Sequence, residues 1–253
     1  MLKKFLASVG IGSAKVDAYI QTEHLFPGAD CDVKIVIKAS DSVSQDINGL
    51  ELALCTSAKS EQEIGDSEVS VYSTIVLGKW ALTPSELGMS STILAAGDVI
   101  EAQMTIHLPD ETPITTIGNG QSKVWLATGL DIAKGLDSSD KDYLPVAPIE
   151  FQVHALNAMQ DLGYQLYKID VEKGTLRGQG FTSKIGCYQE FDFKRKSGLF
   201  SASEAEISFV INNQHVGILV EKDRFLGGDA YYSEILPINA RFEQIKSTLN
   251  RWL

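Results

Sequence analysis

Four histidines are the first side chains in this 253-residue chain to test for metal or acid–base chemistry. His24, His107, His154 and His215 each stand alone, with no second His and no Cys two to four positions away. That spacing is how a short segment offers two ligands to one metal, so ordinary surface or half-buried roles are expected. Three glycine clusters invite a phosphate-binding reading. Gly10-Ile-Gly12-Ser-Ala-Lys15 has no third glycine and no preceding strand, and Gly227-Gly228-Asp229 reads as a turn. Gly118-Asn-Gly120-Gln-Ser-Lys123 lacks the Gly-Lys-Ser/Thr order and leads into a strand rather than a helix N-terminus. Turn geometry explains all three. Asp137-Ser-Ser-Asp140-Lys-Asp142 has neither the spacing nor the distal Glu of a calcium loop and reads as a solvated linker. The basic run Lys194-Arg195-Lys196 reads as a solvated loop, whose functional version is a docking spot for an acidic partner. No Gly-x-Ser-x-Gly element occurs. No catalytic, cofactor-binding or metal-ligating residue is therefore assigned.

The elements that position these residues read as strands. Cys31, Val33, Ile35 and Ile37 alternate with Asp32, Lys34, Val36 and Lys38, and Leu50, Leu52 and Leu54 repeat the pattern. Ser57 to Ser67 is polar without apolar periodicity and reads as a surface loop. Val69–Leu77, Val99–Leu108 and Val124–Ile132 are strand-like, and Trp80–Ser91 is irregular, with room for one helical turn. Strands without intervening amphipathic helices point to an antiparallel β-sandwich over residues 1–147, with a linker near 133–147.

Residues 148–253 open differently. Val153, Leu156, Met159 and Leu162, stopped by Gly163, have helical spacing. Tyr164–Val171 and Thr175–Thr182 read as a hairpin around Glu172-Lys173-Gly174. A clearer hairpin joins Ile207, Phe209 and Ile211 to Val216, Ile218 and Val220. The chain ends in an amphipathic helix with Phe242, Ile245, Leu249 and Trp252 on one face and Asn239 as its expected N-cap. That apolar stripe needs cover, from its own domain or from a second copy in a homodimer. The fold class is thus mainly β, in two domains, the second also mainly β and ending in a helix.

The net charge of −11 is uneven: residues 1–147 carry 20 acidic and 10 basic side chains, and residues 148–253 carry 13 and 12. An acidic first part disfavours binding to nucleic acid or anionic lipid. Three widely separated cysteines, Cys31, Cys55 and Cys187, argue for a reducing compartment, so a cytoplasmic protein is expected. No apolar run approaches the roughly 20 residues that cross a bilayer. Leu2, Phe5, Leu6 and Val9 fall at helical spacing and read as a short element packed on the sandwich, with membrane contact by Lys3, Lys4 and Phe5 the lesser reading.

Several segments resemble the SpoOM family, the arrestin-like sporulation-control proteins. They are Phe5-Leu-Ala-Ser-Val-Gly-Ile-Gly12 with Ala14-Lys-Val-Asp17, Pro27-Gly28, Leu108-Pro109 with Thr112-Pro113, Val124-Trp-Leu-Ala-Thr-Gly-Leu-Asp-Ile132, and Leu136-Asp with Asp140-Lys-Asp142-Tyr143. Weaker echoes are Gln189-Glu-Phe191 and Glu221-Lys-Asp223-Arg224, while the family's basic Asp-Arg-Arg-x-Arg-Gly-like segment is reduced to Asp223-Arg224. The resemblance implies an arrestin-like N-terminal sandwich and a cytoplasmic regulatory or adaptor role, with other proteins as partners and no catalytic residues or cofactors. The alternative is a small-ligand binder or enzyme with a site at the domain junction, near His107, Asp140 and Tyr143.

Overall fold

Leu50, Leu52 and Leu54 alternate as expected, but the strand that carries them, β3, runs for 20 residues from Gln45 to Ile64. In the computed structural model, which describes residues 14–64, 67–118, 121–133, 138–196, 202–222 and 229–253, this strand is the spine of the molecule. The element expected around Leu2, Phe5, Leu6 and Val9, the glycines at 10, 12, 120, 227 and 228, and Asp137 lie outside the described residues.

One edge of β3 pairs antiparallel with β4 (Ser67–Leu82). The other edge takes β7 (Val124–Ile132) as far as Thr56, and then β9 (Gln165–Lys173), where Lys59 lies opposite Glu172 in a parallel pair. The loop expected over Ser57–Ser67 is therefore strand as far as Ile64. Its composition misleads for a physical reason. Ala58 is buried, but Glu61, Gln62, Glu63, Val69 and Ser70 are exposed, so this part of the ladder has no single apolar face to alternate.

A second sheet of β1 (Lys15–Ile20), β2 (Asp30–Lys38) and β6 (Val99–His107) packs against β3 and β7. Val33, Ile35 and Ile37 meet Leu50, Leu52, Leu54, Leu126 and Leu130 in one buried cluster. β5 (Ile93–Leu94) adds a short pair at the start of β3. After Leu82, Thr83 and Glu86 close one turn: the Thr83 N–H and hydroxyl both donate to Glu86 Oε2, at 2.8 and 2.7 Å. The expected linker is partly strand, since Ser138–Tyr143 forms β8 on the free edge of β7.

Beyond residue 148 the chain builds β9, β12 (Cys187–Lys196), β13 (Ala202–Ile211), β14 (His215–Lys222) and β15 (Ala230–Pro237), neighbours in that order and antiparallel. The expected 164–182 hairpin is corrected: β9 pairs with β12, and a small hairpin, β10 (Arg177–Gly178) with β11 (Phe181–Thr182), fills the interval. It folds onto the outer side of the sheet because Gly217 has no Cβ; one built there would lie 2.4 Å from the Phe181 ring. The β13–β14 hairpin is as expected, with Phe209 opposite Ile218 and a turn in which Asn212 Oδ1 accepts from the N–H groups of Gln214 and His215.

Helix α1 (Glu150–Asp161) stops at Gly163 (φ +86) in a Schellman motif: Tyr164 N–H donates to Met159 O and Gly163 N–H to Gln160 O, each at 2.9 Å. The buried face is Phe151, Ala155, Ala158 and Met159, whereas Val153 is left exposed. Helix α2 (Phe242–Trp252) begins after Arg241, so Asn239 is not its cap. Ile245 and Leu249 are fully buried, and Trp252 stacks on Tyr232 at 6.1 Å. The apolar stripe is thus covered within the chain, and a second copy is not needed to cover it.

Candidate functional site

The two-residue period of a strand sends Lys168, Asp170 and Glu172 of β9 to the outer face of the second sheet. Glu190 and Asp192 of β12, Glu204 and Glu206 of β13, and Glu221 of β14 share that face. Register aligns them into a row: Lys168 lies opposite Asp192, Asp192 opposite Glu206, and Glu206 opposite Glu221. The near-neutral charge of residues 148–253 conceals this segregation.

Cations cover part of the row. Lys59, reaching over from β3, stands 2.7 Å from Glu61, 3.6 Å from Glu172 and 3.8 Å from Asp170. Lys168 pairs with Asp170 and lies 3.5 Å from Asp192. Lys194 lies 3.1 Å from Glu204 and 4.1 Å from the centre of the Tyr167 ring. Glu190 has no ion pair among the described residues. Burial, then the charges of Glu206, Glu172, Asp192 and Glu221, push its carboxyl up to about 8. Burial also raises Asp192 and Glu172, against the pull of the lysines.

Beside this face a cleft of about 670 Å³ opens under the β3–β4 ladder. It is lined by Ser57 and Tyr72 of the ladder, Gln121 and Lys123 of the segment before β7, and Tyr167, Lys168 and Asp170 of β9. Gln121 lines the cleft, and Gln189 braces the segment before it. Gln121 Oε1 accepts from Ile169 N–H at 2.9 Å. Buried Gln189 accepts from Ile114 N–H at 2.9 Å and donates to Ile114 O and Ser122 Oγ, each at 2.8 Å.

The side chains singled out from sequence are dispersed. His107 Nδ1 lies 2.9 Å from Asp30 on an exposed rim, His154 packs edge-on against Phe242, and His24 and His215 are exposed. Gly118 takes φ +73 in a turn, as expected. The basic run is strand rather than loop: Lys194 and Arg195 belong to β12, and Arg195 lies over the Tyr164 ring and donates to Leu162 O at the end of α1. Burial pushes the Cys31 thiol up to about 11 and the Cys187 thiol up to about 12, and raises Cys55, which leaves no ready thiolate.

Of the junction residues expected to gather a ligand, Asp140 and Tyr143 share β8 but serve different contacts. Asp140 Oδ2 accepts from Ala18 N–H of β1 at 3.1 Å, while Tyr143 packs on Trp125, with Lys141 3.8 Å above the indole. Neither residue lines the cleft, and nor does His107. Asp142 faces Asp140 and Asp17, and its Oδ2 is buried without a hydrogen-bond partner. Burial, then Asp140, pushes its carboxyl up to about 7. A carboxyl raised on folding binds its proton more tightly in the native state. Its cost to stability is absent below the unfolded value near 4, grows as pH rises, and is complete above about 7. Asp142→Asn therefore stabilises the protein at pH 8 by about 1–2 kcal/mol, discounted for partial exposure, and the gain shrinks as pH falls toward 4. Denaturant midpoints of both proteins across that range check this.

The acidic row escaped the sequence reading because its members are far apart in the chain. Tyr188–Phe193 reads as a strand from the sequence alone, but the register that sets Asp192 against Glu206 does not.

With this geometry in view, comparison with known proteins places the chain. The model of the SpoOM protein family matches residues 2–226. The chain belongs to the SpoOM family. It is similar to the sporulation-control protein spo0M of Bacillus subtilis (strain 168), 31% identical over 228 residues, which are 88% of this chain and 80% of that protein. The crystal structure of Spo0M from Bacillus subtilis superposes with a TM-score of 0.76 at 24% identity, covering 95% of this chain and 98% of the other. The mainly β, multi-sheet fold is therefore that of SpoOM proteins. Among the described residues no helix is long and apolar enough to cross a membrane.

Proposed function

We propose that this protein is a cytoplasmic regulatory adaptor of the sporulation-control type, acting through protein–protein contact rather than by catalysis. The observation that carries the reading is the outer edge of β4. That strand spans Ser67–Leu82, its ladder partner among the described strands is β3, and Val69 and Tyr72 beside the open edge are 42% and 65% exposed. An extended partner segment adds to such an edge through backbone hydrogen bonds, while side-chain contacts set specificity. In this reading residues 1–147 form an arrestin-like sandwich and residues 148–253 a second domain, with the β3–β4 ladder presented by both. Three buried, unpaired cysteines support a reducing compartment.

Photo-crosslinking tests this. With p-benzoylphenylalanine in place of Tyr72, cells at native abundance should yield one adduct with a distinct protein, absent when the probe replaces Tyr19. Recovery of the chain alone, or the same adduct from both positions, removes the adaptor reading. A second reading, binding of a small ligand, is favoured by the cleft between β9 and the ladder, with Lys168, Asp170 and Tyr167 in its wall. A metabolite that protects the native protein from thermal unfolding, but not a Tyr167→Ala variant, would establish it.

A further inference from the structure

We propose that Glu190, Asp192 and Glu206 form a binding site for a hard divalent cation, calcium by size and ligand preference. One carboxylate oxygen from each lies within 4.8 Å of the other two. Oxygens bound to one calcium ion at about 2.4 Å lie at most about 4.8 Å from one another. The three groups are therefore near enough to share one ion through side-chain rotation, without movement of the strands. The scaffold is rigid, because Asp192 and Glu206 are directly opposed in the β12–β13 ladder and Glu190 is two residues from Asp192 on the same face. Magnesium demands a near-ideal octahedron at about 2.0–2.1 Å and dehydrates reluctantly, so carboxylates held on two strands suit the more flexible coordination of calcium better.

A cluster of acids alone can be a solvated surface; this one is not. Asp192 is only 4% exposed, and its Oδ1 is buried with no hydrogen-bond partner, while its other oxygen faces Lys168 at 3.5 Å. A buried carboxylate oxygen left without a donor is costly, and like charges directly opposed across a ladder repel. A divalent cation satisfies that oxygen and offsets the repulsion together. Lys168 cannot do both, since it also holds Asp170. Tyr188, two residues before Glu190, stands on the same face and is close enough to serve as an optical antenna.

Terbium reports on the site. Tyrosine-sensitised Tb³⁺ luminescence should appear with the wild-type chain and be displaced by Ca²⁺ more readily than by Mg²⁺. Glu190→Gln and Glu206→Gln should each weaken Ca²⁺ competition about tenfold or more, because affinity follows the ligand charge count. Glu204→Gln, on the same face but paired with Lys194, should leave it unchanged. Ca²⁺ at a hundredfold excess over its Kd should raise the wild-type Tm by about 5 °C or more relative to EDTA. Both glutamine variants remove a repelling charge and should fold. Luminescence indifferent to Glu190→Gln and Glu206→Gln, or a wild-type Tm the same in Ca²⁺ and EDTA, overturns the site and leaves a carboxylate row neutralised by protons.

Discussion

Gln189→Leu should lower the stability of the protein by about 3–5 kcal/mol, among the largest effects of any single polar substitution here. The side chain is 8% exposed and completes three hydrogen bonds in the interior. Leucine fits the volume but leaves Ile114 without partners for its N–H and C=O, and Ser122 without its donor. Burying an unsatisfied polar group costs about 1–3 kcal/mol each, partly relieved if the segment shifts or admits water. Gln189→Glu separates shape from hydrogen bonding. Its carboxylate still accepts from Ile114 N–H, but it faces the Ile114 carbonyl with no proton to give. That variant should be as unstable as Gln189→Leu at pH 7.5 and regain stability at pH 4.5, relative to wild type at each pH, once a proton restores one donor. Urea unfolding at the two pH values measures both. Equal penalties at both pH values would mean that Gln189 acts by packing alone.

Lys168→Met should cost about 2–4 kcal/mol. Asp170 and Asp192 have side chains only 14% and 6% exposed, and Lys168 reaches both. Burial by itself pulls the Lys168 ammonium down, but Asp170 and Asp192 more than reverse that, so it stays charged. Removing the cation leaves two buried carboxylates with Lys59 at 3.8 Å from Asp170 as the remaining compensation. The estimate sits below the full value for a broken buried pair because Lys168 is itself 41% exposed. Adding Asp170→Asn to Lys168→Met should recover part of the loss, with a coupling above about 1 kcal/mol in a double-mutant cycle. Additive penalties would show the lysine to be a solvated surface charge.

Where one face meets the core and the other meets solvent, strands were legible in the sequence. The hairpin pairing Phe209 with Ile218 is such a case, and Gly163 marked the end of α1 because only a left-handed residue completes that cap. Legibility failed where the alternation has another cause or none. Ser57–Ile64 is strand with much of its length in solvent, and Ser138–Tyr143 is a polar edge strand. The partner of β9 was missed because turn signals at Glu172–Gly174 point to the next residues, while hydrogen bonding selects β12 across an inserted hairpin. The site divides the same way. In the sequence Gln189 belongs to a strand-like segment, Tyr188–Phe193, and a family-like tripeptide, but its hydrogen bonds to Ile114 join residues 75 positions apart. The acidic row depends on register between strands, which composition does not encode.

The shared spine also has a kinetic side. Strands β12 to β15 join neighbours through short connections, so that sheet assembles from local contacts and should form early. The far end of β3 cannot complete its pairing until β9 is in place, because Lys59 meets a residue more than a hundred positions later in the chain. During synthesis the β3–β4 ladder therefore waits with a flank uncovered, the kind of edge that recruits other chains. Lys59, Glu61 and Glu63 occupy that flank, and charges on an exposed strand are how natural sheets discourage such pairing. The polarity that disguised this segment as a loop also guards it while the protein folds.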